Sequence, residues 1–362
     1  LSSQKGRFLR YGQRAYLPQI LGLGLGRTLG LSYVATVFLG KFFNLLFCTA
    51  VVTCAIRFSK YGKRTLMCVG LLPTTVFLFS SFTYDAFVIA LLMLGIALFV
   101  TEYLSEEKIQ TKRTMVSILA MVVGCFSKAV YIPFLALYWL MPKDKFCSRR
   151  QKNLFKAGIF VLILMFASFI LPLIGNVTSG AEVGDYRGGD TSQTSQLSMI
   201  LGYPLTYTGV LLKSLGTTFA SYFIGSKVLA NFAYRGIYDG IGYFVVLLTM
   251  LFTFVTDFGM TEKIYDAQIK RKIFMMKIWN AVLIFGTACL VWTALYLDFT
   301  PVGSMVINGV SPRYYLPLIF PLSLIFINQK VRCSMKLENY QSLIAFLMLI
   351  GTGISIYCLM LA

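Results

Sequence analysis

A chain of 362 residues that is 57% hydrophobic and only 13% charged, with a mean hydropathy of +0.74, carries more apolar surface than a water-soluble fold of this length can bury. The net charge of +19 does not signal nucleic acid, because the 33 Lys and Arg are dispersed over many loop ends instead of forming one patch. There is no histidine, no CxxC or zinc spacing and no Walker-type loop, which argues against a bound metal or cofactor and leaves proton transfer to carboxylate, tyrosine or water.

Residues 1–30 begin polar and basic, with no signal-like apolar core, and form a lead-in segment on the outer side. An upstream span is expected to have carried it across, so the chain reads as amino-terminally truncated. Within this segment GLGLGR, Gly22 to Arg27, has the spacing of a dinucleotide turn but lacks the βαβ context; a small-residue face on a membrane-surface helix is the better reading. Apolar stretches follow, and a crossing takes roughly 20 such residues through a layer about 30 Å thick. They lie at 31–57, 65–84, 86–103, 157–175, 237–256, 277–297, 313–328 and 341–361, with two shorter ones sharing 114–141. None alternates in polarity as a barrel strand would. The chain is therefore expected to be a single all-α polytopic bundle over 1–362, of about ten spans, in multi-pass contact with membrane lipids.

Orientation follows from the basic residues. Connections 57–64, 102–113, 143–156, 257–277 and 329–340 hold 21 of the 33 and are assigned to the cytoplasm. These loops are too short for a nucleotide-binding domain. Reading 114–141 as one crossing would send the basic run after Lys143 outside, so two short helices meeting near Ser127 and Lys128 are preferred over a buried re-entrant hairpin. Residues 205–224 have a span's length but carry Lys213 at the centre with Tyr, Thr and Ser around it, so an interfacial helix is expected. The outer segment 176–236 combines that helix with a Gly-rich polar loop, YRGGDTSQTSQ, suited to a mobile lid or to an ordinary covering loop.

Ionisable groups in or beside spans are costly, so those present are functional candidates. Lys41 lies about ten residues into the first span, Asp85 follows SSFTY at an outer helix end, Lys128 sits at the tip of the paired helices, and Arg313 occupies SPRYYLP at another outer end. All four lie toward one membrane face. Cations beside a carboxylate suit a phosphate-bearing lipid, with Lys and Arg neutralising phosphate and Asp85 accepting a proton. The plainer reading makes Asp85 a helix cap and the three cations headgroup anchors.

The runs YLPQILGLGLGRTLGLS, LGKFFNLL, LLPTTVFLFSSFTYDA, SKAVYIP and SPRYYLPLIFPL resemble the bacterial membrane proteins of domain-of-unknown-function family 2142, considered relatives of the GT-C glycosyltransferases. The resemblance covers about Tyr16 to Pro321 and implies a GT-C-like bundle in the bacterial cytoplasmic membrane. The implied activity is transfer of a sugar from a polyprenyl-phosphate carrier to a glycan or lipid-linked acceptor at the outer face, in envelope polysaccharide synthesis. It places Arg27, Asn44, Asp85, Lys128, Tyr131, Arg313, Tyr314 and Pro317 on family motif positions. Lys41 stands where the family more often has Arg, and the acidic motif of the family's first outer loop falls before Leu1. Asp85 is then either a substitute or a supporting group. A flippase, transporter or polymerase component for lipid-linked saccharides is the competing class, separated by whether loss of Lys128 and Arg313 abolishes transfer or only flipping.

Overall fold

The computed structural model describes residues 11–167, 190–258, 267–328, 331 and 333–360; its elements are helical, and the one β feature among these residues is an isolated bridge between Asn231 and Ile237. The chain opens with helix Leu17–Thr28 (α1) laid on the long helix Tyr33–Phe58 (α2), which starts where the Ser32 hydroxyl accepts the Ala35 N–H at 3.4 Å. Gly22 and Gly26, one turn apart, make the contact: a Cβ on Gly22 would stand 2.5 Å from the Leu39 carbonyl oxygen, and one on Gly26 3.0 Å from the Thr36 Cα. GLGLGR is thus a small-residue packing face, as its context implied.

Helix Asp85–Leu104 (α5) sits at the centre, apolar on every side and buried along almost its whole length. Its 20 residues span about 30 Å, so its two ends gauge the height of the bundle. Helix Thr111–Cys125 (α6) starts beside Glu102 at one end, with Arg113 Nη1 3.2 Å from Glu102 Oε2, and ends beneath Lys128, whose Nζ is 2.7 Å from Asp85 Oδ1 at the other. The chain returns as a 3-10 helix, Ala129–Leu140, to bring Lys145 Nζ 3.7 Å from Glu102 Oε1. At about 2.0 Å of rise per residue, its 12 residues cover roughly 24 Å, more than an α-helix of that length could. Residues 114–141 therefore form the expected pair of short helices, each reaching both ends of α5, and not a re-entrant hairpin. Burial lowers the pKa of the Lys145 ammonium while the adjacent Glu102 carboxylate raises it.

The connections richest in Lys and Arg meet at the Glu102 end. The Lys60 N–H donates to Thr101 Oγ1 at 2.9 Å, Tyr103 OH donates to the Lys272 carbonyl at 3.2 Å, and Lys108 Nζ donates to the Asp144 carbonyl at 2.9 Å. Asp257 accepts the Arg64 and Thr65 N–H groups at 3.1 and 2.9 Å, capping helix Lys63–Gly70 (α3), and pairs with Arg64 Nη1 at 3.1 Å. Both side chains are buried, at 5% and 0% exposure, so Asp257→Ala strands a cation and is expected to cost about 3–5 kcal/mol. Thermal unfolding in detergent reads this loss, and Arg64→Leu with Asp257→Asn, which removes both charges and keeps an acceptor for the two N–H groups, should recover most of it.

Four of the described helices are long and apolar enough to cross a membrane alone: α2, α5, Ala267–Phe299 (α12) and most of Leu337–Met360 (α14). Other expected crossings correspond to shorter helices. The run 65–84 is broken into α3 and Pro73–Phe79 (α4), because Pro73 lacks an N–H and forces Leu72 out of the helical region, to ψ 137°. The run 313–328 is a 3-10 turn, Pro312–Tyr315, and the ten-residue helix Leu316–Ile325 (α13), which carries Pro317 and Pro321. The run 237–256 is helix Ile241–Thr256 (α11). Helix Arg149–Ala167 (α7) covers the start of the run 157–175; the rest of that run and 176–189, with Tyr186 and most of YRGGD, lie outside the described residues.

Helices Gln193–Gly202 (α8), Pro204–Phe223 (α9) and Ser226–Leu229 (α10) follow in the outer segment. In α9 Tyr207 OH meets Thr293 Oγ1 at 2.5 Å, and Tyr222 stacks on Trp292 with ring centroids 6.1 Å apart. These tyrosines are fifteen residues apart, about 22 Å of helix, yet both touch one level of α12. α9 therefore crosses α12 instead of running beside it.

Candidate active site

Asp85 opens α5, and the preceding turn is built to present it. Thr83 Oγ1 accepts the Asp85 N–H at 3.2 Å and donates to Asp85 Oδ2 at 3.3 Å. Gln19 of α1 donates to the Thr83 carbonyl at 3.2 Å, and Asn44 of α2 donates to the carbonyls of Phe79 and Ser81 at 2.9 and 3.0 Å. α1 and α2 thus hold the SSFTYD turn, whose carbonyls would otherwise be buried without partners. The Asn44 side chain is fully buried, with its amide engaged by these two carbonyls.

Two cations converge on that carboxylate. Lys128 Nζ donates to Asp85 Oδ1 at 2.7 Å, and Arg313 Nε lies 3.2 Å from Oδ2, close in charge but not aligned as a hydrogen bond. Asp85 is 4% exposed and Lys128 13%, while Arg313, at 39%, stands at the opening. The Tyr314 ring lies beneath Lys128, 3.4 Å from Nζ to the centroid, and the Tyr84 ring flanks it at 5.3 Å. Tyr131, buried under the site, donates its OH to the Tyr314 carbonyl at 2.7 Å and so fixes the SPRYYLP turn. Among the described residues, one carboxylate and two cations leave one positive charge over, an arrangement that accepts an anion at the Arg313 side.

Asp85, Lys128, Arg313, Tyr314 and Tyr131 are thereby brought together. Lys41 and Arg27 are not: Lys41 lies over the Phe38 ring at 5.9 Å and makes no ion pair among the described residues, and Arg27 is exposed near the end of α1. Pro317 is buried in the first turn of α13. Reading single charges out of the sequence missed Tyr84, Thr83, Gln19 and Tyr16, whose ring meets Tyr84 edge-on at 6.1 Å. The signal was present in SSFTYD and YLPQ, where polar and aromatic residues stand at a span end. Among the described residues no group of three His, Cys, Asp or Glu is placed to hold a metal.

A buried cation on an aromatic face is worth about 2 kcal/mol. Tyr314→Leu is accordingly expected to destabilise the protein by about that much, and Tyr131→Phe, which frees one buried carbonyl, by about 1 kcal/mol. Unfolding midpoints in detergent check both.

No curated protein and no solved structure matches the chain. The family model described as "Predicted membrane protein (DUF2142)" matches residues 3–322, a stretch that contains every residue of the cluster, and the chain belongs to that family of membrane proteins.

Proposed function

We propose that the protein is a membrane glycosyltransferase that takes a sugar from a polyprenyl-phosphate carrier at the outer face of the bacterial cytoplasmic membrane and passes it to a glycan or lipid-linked acceptor. The observation that carries this reading is Asp85 held between Lys128 and Arg313 with one positive charge left over, at the end of the bundle away from the Lys- and Arg-rich connections. The carrier's phosphate docks at Arg313 and Lys128. Both carboxylate oxygens of Asp85 are engaged by these cations, so Asp85 is released to act as a base only when phosphate draws them away. The acceptor hydroxyl then attacks the anomeric carbon and its proton passes to Asp85. The bond from that carbon to the phosphate oxygen breaks, and the departing polyprenyl phosphate keeps its electron pair and stays neutralised by Lys128 and Arg313. Donor binding and base release are coupled, which disfavours transfer to water before the donor is seated.

A second reading, a flippase or polymerase component for lipid-linked saccharides, is favoured by the break at Pro73 and the two prolines of α13, since broken helices line many transport paths. Membranes carrying Lys128→Ala or Arg313→Ala, given a labelled polyprenyl-phosphate sugar, separate the two. Loss of transfer with flipping intact supports the transferase, and loss of flipping with transfer intact supports transport.

A further inference from the structure

At the opposite end of α5 from Asp85, a pocket of about 550 Å³ opens between the α2–α3 and α5–α6 connections. One wall carries Lys60 and Lys63 and the other Glu106 and Glu107, while Phe58 and Leu104 supply apolar surface. Arg113 also lines it, its guanidinium 3.2 Å from the buried Glu102 carboxylate. The walls are preformed. Gly62, at φ +73°, makes a turn that an L side chain rarely adopts, which brings Lys60 and Lys63 to the same side. Tyr61 stacks on Phe258 at 6.0 Å, the Lys60 N–H is held by Thr101 Oγ1 at 2.9 Å, and Gln110 Nε2 holds Glu107 Oε2 at 2.9 Å.

Two features define the ligand. Basic and acidic groups lining one pocket select neither a plain anion nor a plain cation, but a molecule that carries both charges. Phe58 and Leu104 are the last residues of two span-length helices, so the pocket opens at the depth where the apolar layer gives way to headgroups. We propose that this pocket binds a zwitterionic aminophospholipid headgroup, its phosphate on the Lys60–Lys63 wall and its ammonium on the Glu106–Glu107 wall. A primary ammonium donates three hydrogen bonds to carboxylates where a trimethylammonium donates none, so ethanolamine is preferred over choline. This site stands apart from the transfer chemistry and does not depend on it.

The test is native mass spectrometry of the full chain released from nanodiscs holding equal amounts of phosphatidylethanolamine, phosphatidylcholine and phosphatidylglycerol with identical acyl chains. Wild-type protein should carry the ethanolamine lipid in about tenfold excess over either competitor, the factor given by roughly one charge-assisted hydrogen bond. Lys60→Glu with Lys63→Glu should abolish that excess. Glu106→Lys with Glu107→Lys should turn the preference to phosphatidylglycerol, a gain that misfolding cannot produce. Soluble glycerophosphoethanolamine should leave the adducts in place; if it displaces them, the pocket belongs to a soluble phosphoamine and the lipid assignment falls. Equal adducts of all three lipids on the wild type, or a preference unmoved by both double variants, overturns the proposal.

Discussion

Asp85→Asn is expected to lower sugar transfer by roughly 10²–10⁴-fold, the range set by loss of a positioned general base, while donor binding is retained or tightened. The two halves of this result have different causes. Asparagine fills nearly the same volume, its one carbonyl oxygen can accept from Lys128, and its backbone N–H still donates to Thr83 Oγ1, so the turn held by Gln19 and Asn44 keeps its shape. It carries no charge, however, so Lys128 and Arg313 lose their counter-ion and present the carrier phosphate with two free charges instead of one net charge. Donor affinity therefore rises or holds as turnover collapses. If Asp85 served only to position the cations, binding and turnover would weaken together. Single-turnover assays with saturating donor, set beside donor binding measured without acceptor, separate these outcomes.

Lys128→Met is the second substitution with a large expected consequence. It keeps the apolar stem on Tyr314 and removes the ammonium, the more deeply buried of the two proposed phosphate ligands. Removing one preorganised stabiliser of developing charge costs about 10²–10³ in turnover, and that loss is expected here. Arg313 still pairs with Asp85 in this variant, so the unfolding midpoint should move far less than activity does. Arg313→Lys keeps the charge at the opening but loses the forked donor set, and a fall of about tenfold is expected. The reverse order, with Arg313→Lys worse than Lys128→Met, would put the phosphate outside the cluster rather than within it.

Much of the architecture was legible because lysine and arginine are placed against a membrane. Lys143, Lys145, Arg149 and Arg150 could not be moved outside without breaking the charge rule, and this alone predicted two short helices in 114–141. Lys213, at the centre of 205–224, points to an interfacial helix, and the helix found there, α9, crosses α12. The 3-10 form of Ala129–Leu140 was not legible, since it is set by the distance that must be covered between Lys128 and Lys145. The break at Pro73 is a proline inside the apolar run 65–84, expected from sequence to be one span.

The site was legible by depth and not by direction. Lys41, Asp85, Lys128 and Arg313 are assigned to one side of the membrane, and three of them share a site. Which way Lys41 points depends on how α2 is turned, and that is fixed by Gly22 and Gly26 pressing on Leu39 and Thr36, a contact between backbones that no pattern of charges reveals. Asn44 likewise sits in a motif beside the site, yet its amide is spent on the carbonyls of Phe79 and Ser81.

The most direct measurement is photo-crosslinking of purified protein with a short polyprenyl phosphate that bears a diazirine next to the phosphate, followed by peptide mapping. Crosslinks are expected within 81–85, 127–131 and 311–315, competed by unlabelled carrier and lost in Lys128→Met combined with Arg313→Met. Labelling elsewhere in the bundle, or labelling of equal strength in that double variant, would contradict a phosphate held between Lys128 and Arg313.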